Sequence, residues 1–137
     1  MTPEGHQLIR DSWTMLHPIG SRVATTFYKR LFVASPSAAS LFGATNMPAQ
    51  RRKFAAMLSE IVRVIDQPDI LASEAAESGR RHAGYHVESR HYEDVGGALL
   101  WTFEHELGDK FTPEMRAAWR EAYALLAAVM QRAAAHG

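Results

Sequence analysis

The sequence predicts a single all-α domain, and two observations carry that prediction. Apolar residues recur every three or four positions through most of the 137 residues, and no segment alternates as a half-buried strand would. A Ser or Thr followed directly by Pro also occurs at three places, Thr2-Pro3, Ser35-Pro36 and Thr112-Pro113. Each pair is typical of a helix start, because the hydroxyl accepts a free backbone N–H and proline suits the first helical position.

The first half of the chain is expected to hold four helices. Their predicted bounds are Pro3 to about Leu16, about Gly20 to Val33, Pro36 to about Phe42, and Pro48 to about Asp66. Apolar side chains fall on one face of the second and fourth of these helices, as core-facing helices require. Pro68 is expected to end the fourth helix, because proline in a helix interior removes a backbone hydrogen bond.

The second half is expected to hold three more helices. Their predicted bounds are Ile70 to about Tyr85, about His91 to Leu107, and Pro113 to about Ala134. The middle helix contains the pair Gly96-Gly97, and each glycine costs roughly 1 kcal/mol in a helix interior. We expect a neighbouring helix to approach this pair closely and offset that cost.

Composition excludes several classes of function. Fifteen basic and fifteen acidic residues cancel, so the chain offers no electrostatic footprint for nucleic acid or an anionic membrane. The absence of cysteine excludes disulfides, cysteine-bound zinc and thiolate-bound haem. The N-terminus has no secretory signal pattern, and the apolar stretch Ala122 to Met130 is too short to cross a bilayer. These features predict a cytoplasmic location.

Five of the seven histidines are expected to be structural or solvated. His6, His17 and His136 lie near predicted helix ends or chain termini. His105 lies on a charged face, and His91 is expected at the surface of a helix start.

His82 and His86 are the remaining two histidines, and their i, i+4 spacing predicts one helix face. Three interpretations are open on spacing alone. The pair can be ordinary packed or capping histidines, or it can bind zinc with a third ligand, although Ala83 stands where an HExxH motif needs glutamate. His82 can also bind haem iron through a neutral imidazole nitrogen, which leaves the other axial position free for a gas.

Four ordered segments resolve this choice, because together they resemble a known family over nearly the whole chain. The segments are Phe27-Tyr28-Lys29-Arg30-Leu31-Phe32 with Pro36 and Leu41-Phe42; Gln50-Arg51-Arg52-Lys53-Phe54; Gly79-Arg80-Arg81-His82 with Tyr85, Val87, His91-Tyr92 and Val95-Gly96; and Leu107-Gly108, Phe111-Thr112, Ala118-Trp119 and Tyr123. They resemble the bacterial single-domain globins related to flavohaemoglobins, and not the truncated globins. The resemblance implies a globin fold of about seven to eight helices that encloses haem b.

The resemblance also implies roles for individual residues. His82 would be the proximal ligand of the haem iron, and Tyr28 and Gln50 would form the distal pair that donates hydrogen bonds to a bound gas.

Five further residues would contact the haem. Phe42 would wedge the porphyrin, and Phe54 would wall the distal pocket where relatives often carry leucine. Lys53 would reach a propionate, Val87 would pack against the ring, and Tyr92 would lie on the proximal side near His82.

One departure from the family bears on function. Flavohaemoglobins carry a glutamate late in the last helix, in a network with the proximal histidine, whereas this sequence has Ala133-Ala134-Ala135. A carboxylate bonded to the proximal imidazole raises its basicity and favours O–O activation. The sequence also ends at Gly137 without a flavin reductase segment, so we expect turnover to need an external reductant.

The expected function is therefore reversible binding of O₂, and of NO or CO, at ferrous haem, as in oxygen transport. A nitric oxide dioxygenase with an external reductase is the alternative, and a gas or redox sensor is a third possibility that would need a partner. We expect a monomer or a weak homodimer.

Overall fold

Capping side chains mark the starts of three helices that begin with a Ser-Pro or Thr-Pro pair. Thr2 Oγ1, Ser35 Oγ and Thr112 Oγ1 each accept a hydrogen bond from the backbone N–H three residues on, at 3.1, 3.3 and 3.1 Å. In each case proline occupies the next position and lacks the N–H that would otherwise be unsatisfied. All three predicted helix starts are confirmed.

The computed structural model describes residues 1–85 and 87–136, and this part of the chain is all-α. Six long helices and one of five residues are present within it, joined by short connections that include two 3₁₀ turns. The helices are α1 (Pro3–Leu16), α2 (Gly20–Ala34), α3 (Pro36–Ser40), α4 (Met47–Arg63), α5 (Pro68–Ala83), α6 (Ser89–Leu107) and α7 (Pro113–His136).

Several helix boundaries differ from the predicted ones, and side-chain caps at Asn46 and Glu88 account for two of the differences. Helix α4 begins at Met47, because Asn46 Oδ1 accepts the backbone N–H of Ala49 at 3.1 Å. Helix α4 already ends at Arg63, and Pro68 opens α5 instead of ending α4. Helix α6 begins at Ser89, two residues before the predicted start.

The core lies where α2 packs on α6 and α4, and where α1 packs on α7. Phe103, Ile9 and Leu16 are completely buried in it. A buried hydrogen bond also joins α7 to α1, since Trp119 Nε1 donates to Ser12 Oγ at 2.7 Å. This packing holds α2, α4, α6 and α7 in place around the site described below.

Two glycines allow close approach to α7. A Cβ atom on Gly79 would lie 2.2 Å from the carbonyl oxygen of Met130, and a Cβ atom on Gly96 would lie 2.7 Å from the ring of Tyr123. The expected close approach is thus confirmed for Gly96. It is wrong for Gly97, where a Cβ atom would meet no described atom within 4 Å.

In the described part of the chain, no helix has both the length and the apolar character that crossing a membrane requires.

Candidate functional site

An apolar cavity of about 140 Å³ lies among α4, α5, α6 and α7. It forms there because α4 packs chiefly on α2, whereas α5 packs chiefly on α7. The lining residues are Phe54, Met57, Leu58, Ile61, His82, Val87, His91, Tyr92, Val95, Leu99, Trp119, Ala122, Tyr123, Leu126 and Met130. Only a few of these carry a nitrogen or oxygen in the side chain, so those polar groups define the chemistry of the cavity.

His82 lies half-buried in the last turn of α5 and lines the cavity. Its Nδ1 atom is 2.6 Å from the backbone carbonyl oxygen of Ser78, and 3.4 Å from the hydroxyl of the same residue. A carbonyl oxygen can only accept, so Nδ1 carries the proton and donates it. This tautomer leaves the lone pair of Nε2 available to bind a metal.

Tyr28 and Gln50 meet in a hydrogen bond between α2 and α4. Gln50 Nε2 donates to Tyr28 Oη at 3.0 Å. Burial raises the pKa of Tyr28, and the hydrogen bond from Gln50 offsets only part of that effect. The phenol therefore keeps its proton at neutral pH, and because Gln50 occupies a lone pair of Oη, that proton remains available for donation elsewhere.

An aromatic cluster surrounds the Tyr28 ring. Phe54 stacks on Phe27 with ring centroids 4.3 Å apart, and it meets Tyr28 edge to face at 5.6 Å. Phe42 also meets Tyr28 edge to face at 5.6 Å, and Phe32 packs against both of these rings. These contacts fix the Tyr28 ring from several sides.

The predicted site residues divide into two groups that meet at Phe54. His82, Val87, Tyr92 and Phe54 line the cavity, whereas Tyr28, Gln50 and Phe42 do not. Phe54 belongs both to the cavity wall and to the aromatic cluster, so its ring joins the cavity wall to the ring of Tyr28.

Lys53, the remaining predicted residue, is exposed on α4 next to Phe54 and does not line the cavity.

Tyr92 brings an unpaired hydroxyl into this region. The residue is buried, yet its Oη atom has no hydrogen-bond partner among the described residues. Burial raises the pKa of Tyr92. The neighbouring Tyr123 hydroxyl donates to the backbone carbonyl of Tyr92 and so holds α7 against α6. A buried hydroxyl without a partner is costly, and it suits a site that receives a polar atom of a bound group.

His91 corrects the prediction of a surface histidine, because it is buried and lines the cavity. Its Nδ1 atom accepts the backbone N–H of Glu88 at 2.9 Å, so Nε2 carries the proton and donates to Ser37 Oγ at 3.0 Å. These bonds join the start of α6 to α3. The spacing of Glu88 and His91, with each side chain capping the other's backbone, is a capping-box pattern that the sequence contained.

The zinc interpretation receives no support from the described residues. Helix α5 ends at Ala83, and His86 lies outside the described residues. Among the side chains that are described, no three His, Asp or Glu groups are placed to hold a metal ion.

The residues around the cavity fit a haem group. The walls are apolar, as a porphyrin requires, and they include an imidazole whose Nε2 is oriented as a metal ligand by a backbone carbonyl. The unpaired hydroxyl of Tyr92 is a second sign that the cavity is shaped for an occupant.

Comparison with known proteins identifies the class of protein. The family model for globins matches residues 25–130, and the chain belongs to the globin family. Its relatives include flavohemoproteins from Deinococcus radiodurans and Xylella fastidiosa, which are 31% and 32% identical over 132 residues. Those residues are 95% of this chain but 33% of each relative. A flavohemoprotein from Vibrio cholerae is 28% identical over 131 residues.

The chain spans about one third of the length of these curated relatives, and the matching third is their globin part. Membership of the globin family implies a haem cofactor and diatomic gases as ligands. The cavity and its polar groups therefore belong to a domain for haem-based gas binding.

Proposed function

We propose that this domain would hold haem b in the cavity through His82 and bind O₂ reversibly. Bound haem b would supply a ferrous iron that binds O₂, NO or CO. The observation that carries the proposal is the hydrogen bond from Gln50 Nε2 to Tyr28 Oη, because it leaves a buried phenol with a proton to donate.

Tyr28 is the residue that would distinguish O₂ from other gases. Bound O₂ acquires partial negative charge, and a hydrogen bond to such an acceptor contributes about 1.5–3 kcal/mol in a buried site. That energy corresponds to about a ten- to hundredfold slower escape. The raised pKa of Tyr28 supports this role, since only the protonated phenol donates.

Phe54 would control access to Tyr28. Its ring lines the cavity and packs edge to face on Tyr28, so a movement of the ring would change how closely a ligand in the cavity can approach Tyr28. Phe42, packed on Tyr28, would contact the porphyrin edge, and Lys53 at the surface would reach a propionate.

His82 would serve as a neutral ligand. Its Nδ1–H donates to the Ser78 carbonyl, which is a weaker acceptor than a carboxylate. The imidazole therefore gains little negative character, and this favours holding O₂ over cleaving its O–O bond. The three alanines Ala133-Ala134-Ala135 near the end of α7 supply no carboxylate that would change this.

The release of O₂ and CO from the Tyr28→Phe variant tests the proposal. Stopped-flow measurements should show O₂ release about ten- to a hundredfold faster than in the unmodified protein. CO release should change much less, because CO carries little negative charge, and it serves as the control for altered access. O₂ release that is unchanged, or that accelerates no more than CO release, would contradict the role of Tyr28.

Nitric oxide dioxygenation is a second candidate. The Tyr28–Gln50 pair favours it too, since tightly held O₂ keeps the reactive partner of NO in place. This activity requires a reductase partner to restore ferrous iron. Steady-state NO consumption with a reductant would support an enzyme, whereas one stoichiometric burst would support gas binding alone.

A further inference from the structure

One face of α6 is exposed and is built differently from the rest of the surface. We call it the outer α6 face, and its central line is Glu93, Gly97 and Trp101, spaced by one helical turn. A groove of about 290 Å³ runs along it. The groove is lined by Arg30, Ala34, Glu93, Asp94, Gly97, Ala98, Trp101, Glu104 and Arg116.

No packing contact within the described chain requires a glycine at position 97, at the centre of this face. Its neighbour Gly96 is required, because Tyr123 packs where a side chain would stand. A Cβ atom on Gly97, in contrast, would meet no described atom within 4 Å. Glycine is among the least favourable residues in a helix interior, and its use at an open position allows another backbone to approach closely.

The charges on the outer α6 face are divided along the helix. The half towards the N-terminus carries Glu93 and Asp94, which form no ion pair with the described residues. Arg90 in the same region pairs with Glu88 at 2.7 Å and adds no net charge. This half is therefore acidic.

The half towards the C-terminus is basic and aromatic. The guanidinium of Arg30 lies over the Trp101 ring, 4.7 Å from its centroid, and the His105 ring stacks on the same tryptophan. Arg116 pairs with Glu104 at 2.7 Å. Arg30 and Arg116 together with Glu104 therefore give this half a net charge of one positive unit. Trp101 remains 36% exposed, and Val33, one turn after Arg30 on α2, is 76% exposed.

We propose that the outer α6 face binds a second copy of this chain in a two-fold symmetric dimer. The two α6 helices would cross antiparallel, with the symmetry axis at Gly97. In such an interface the same surface is used twice, so the acidic half of one copy meets the basic half of the other. Gly97 lies midway between Glu93 and Trp101, which are about 12 Å apart along the helix.

The charge pattern favours a second copy over an unrelated partner. Opposite charges on the two sides of the axis and a small residue at the crossing both favour a self-complementary interface, and this face has both. Trp and Arg are residue types that contribute strongly to binding energy at interfaces. Here Trp101 and Arg30 restrict each other's side-chain conformation by stacking.

Sedimentation of the haem-loaded chain over a range of concentrations tests the proposal. The unmodified protein should convert from monomer to dimer as its concentration rises, and salt should weaken the dimer. Gly97→Leu should raise the dimer dissociation constant about tenfold or more. Ala72→Leu, which adds the same side chain to an exposed position on α5, is the matched control and should leave that constant unchanged.

A pair of charge-altered chains tests the antiparallel arrangement itself. One chain carries Glu93→Lys and Asp94→Lys, and the other carries Arg30→Glu and Arg116→Glu. Each chain alone should be monomeric because both halves of its face have the same sign. An equimolar mixture should form heterodimers, and circular dichroism of each chain should show that its helices are intact.

The proposal is overturned if the unmodified protein stays monomeric at millimolar concentration, or if it forms a dimer that Gly97→Leu does not weaken. The antiparallel arrangement is overturned if the two charge-altered chains fail to associate while both remain helical.

Discussion

The two helices that face each other across the cavity are held in different ways. Helix α4 buries large side chains, among them Phe54 and Leu58, and joins the aromatic cluster around Tyr28. Helix α5 buries only Ala75 and Gly79, and it depends on the close contact of its backbone with α7. The side that carries Tyr28 and Gln50 is thus packed through large side chains, whereas the side that carries His82 is packed through close backbone contact between α5 and α7.

This difference indicates which site residues are positioned by the protein alone and which depend on the bound cofactor. The Tyr28–Gln50 pair is already positioned by neighbouring rings, so its geometry does not depend on the cofactor. His82 forms hydrogen bonds with Ser78 alone among the described residues, and its helix buries only the small residues Ala75 and Gly79. We therefore expect haem binding to stabilise α5 more than α4.

Phe54→Ala should give the largest loss of stability, since it removes a ring that stacks on Phe27 and contacts Tyr28. The free energy of unfolding should fall by about 3–5 kcal/mol, measured by urea denaturation. Met57→Ala is the control on the same helix, because Met57 is 43% exposed and should cost about 1 kcal/mol or less. Equal losses at both positions would contradict the dense packing of the α4 side.

Gly79→Ala tests the close packing of α5 on α7. The new Cβ atom would lie 2.2 Å from a backbone atom of Met130, so the two helices must separate. We expect a loss of about 1–3 kcal/mol in unfolding free energy together with faster haem release. Gly97→Ala is the control, because it gains the same helix propensity and its new Cβ atom meets no described atom within 4 Å. It should therefore raise the free energy of unfolding by up to about 1 kcal/mol. A neutral result for Gly79→Ala would show that α5 is not held by this contact.

Alkaline pH should lower the free energy of unfolding, because Tyr28 and Tyr92 on the two sides of the cavity are buried. Burial raises the pKa of Tyr28 and of Tyr92 above their ordinary value in the unfolded chain. The stabilisation that comes from the protonated tyrosines is fully present below about pH 10. It is lost as the pH rises through the raised pKa values of the folded protein. The loss is at most about 1.4 kcal/mol per pH unit for each tyrosine. Urea denaturation at increasing pH should show it, and the Tyr28→Phe, Tyr92→Phe double variant should reduce the slope without abolishing it, because burial also raises the pKa of Tyr123. An unaltered slope would contradict this origin.

The smallest predicted changes in the free energy of unfolding have opposite signs for Tyr28→Phe and Tyr92→Phe. Tyr28→Phe removes the acceptor of the Gln50 bond and should cost about 0.5–1.5 kcal/mol. Tyr92→Phe removes a buried hydroxyl that has no partner among the described residues, so the haem-free chain should gain about 1 kcal/mol. Thermal or urea denaturation measures both changes, and two losses of similar size would show that the Tyr92 hydroxyl is satisfied.

The fold was largely predictable because its signals are local. The Ser-Pro and Thr-Pro pairs mark helix starts through hydrogen bonds that span three residues, and the structure contains those bonds. Helix α2 also begins at the predicted Gly20, whereas α4 and α6 begin slightly before their predicted starts, because the caps at Asn46 and Glu88 lie outside the apolar pattern.

The site was less predictable because it depends on contacts between distant segments. The bond between Gln50 and Tyr28 joins residues 22 positions apart, and the bond between His91 and Ser37 joins residues 54 positions apart. Nothing in the local pattern distinguishes a buried His91 from an exposed one. The family resemblance supplied the pairing of Tyr28 with Gln50 and the expectation that Phe54 walls the distal pocket, but it gave no sign that Tyr28 and Gln50 lie outside the cavity lining.

The central claim is that His82 holds the haem iron, and the absorption spectrum of the purified protein with CO tests it most directly. The reduced protein should take up haem and give the CO spectrum of a histidine-ligated haem. His82→Gly should lose haem affinity and that spectrum, and imidazole added to the solution should restore them. His91→Gln changes the other histidine of the cavity and should keep the original spectrum. The account is contradicted if His82→Gly retains the original spectrum and affinity.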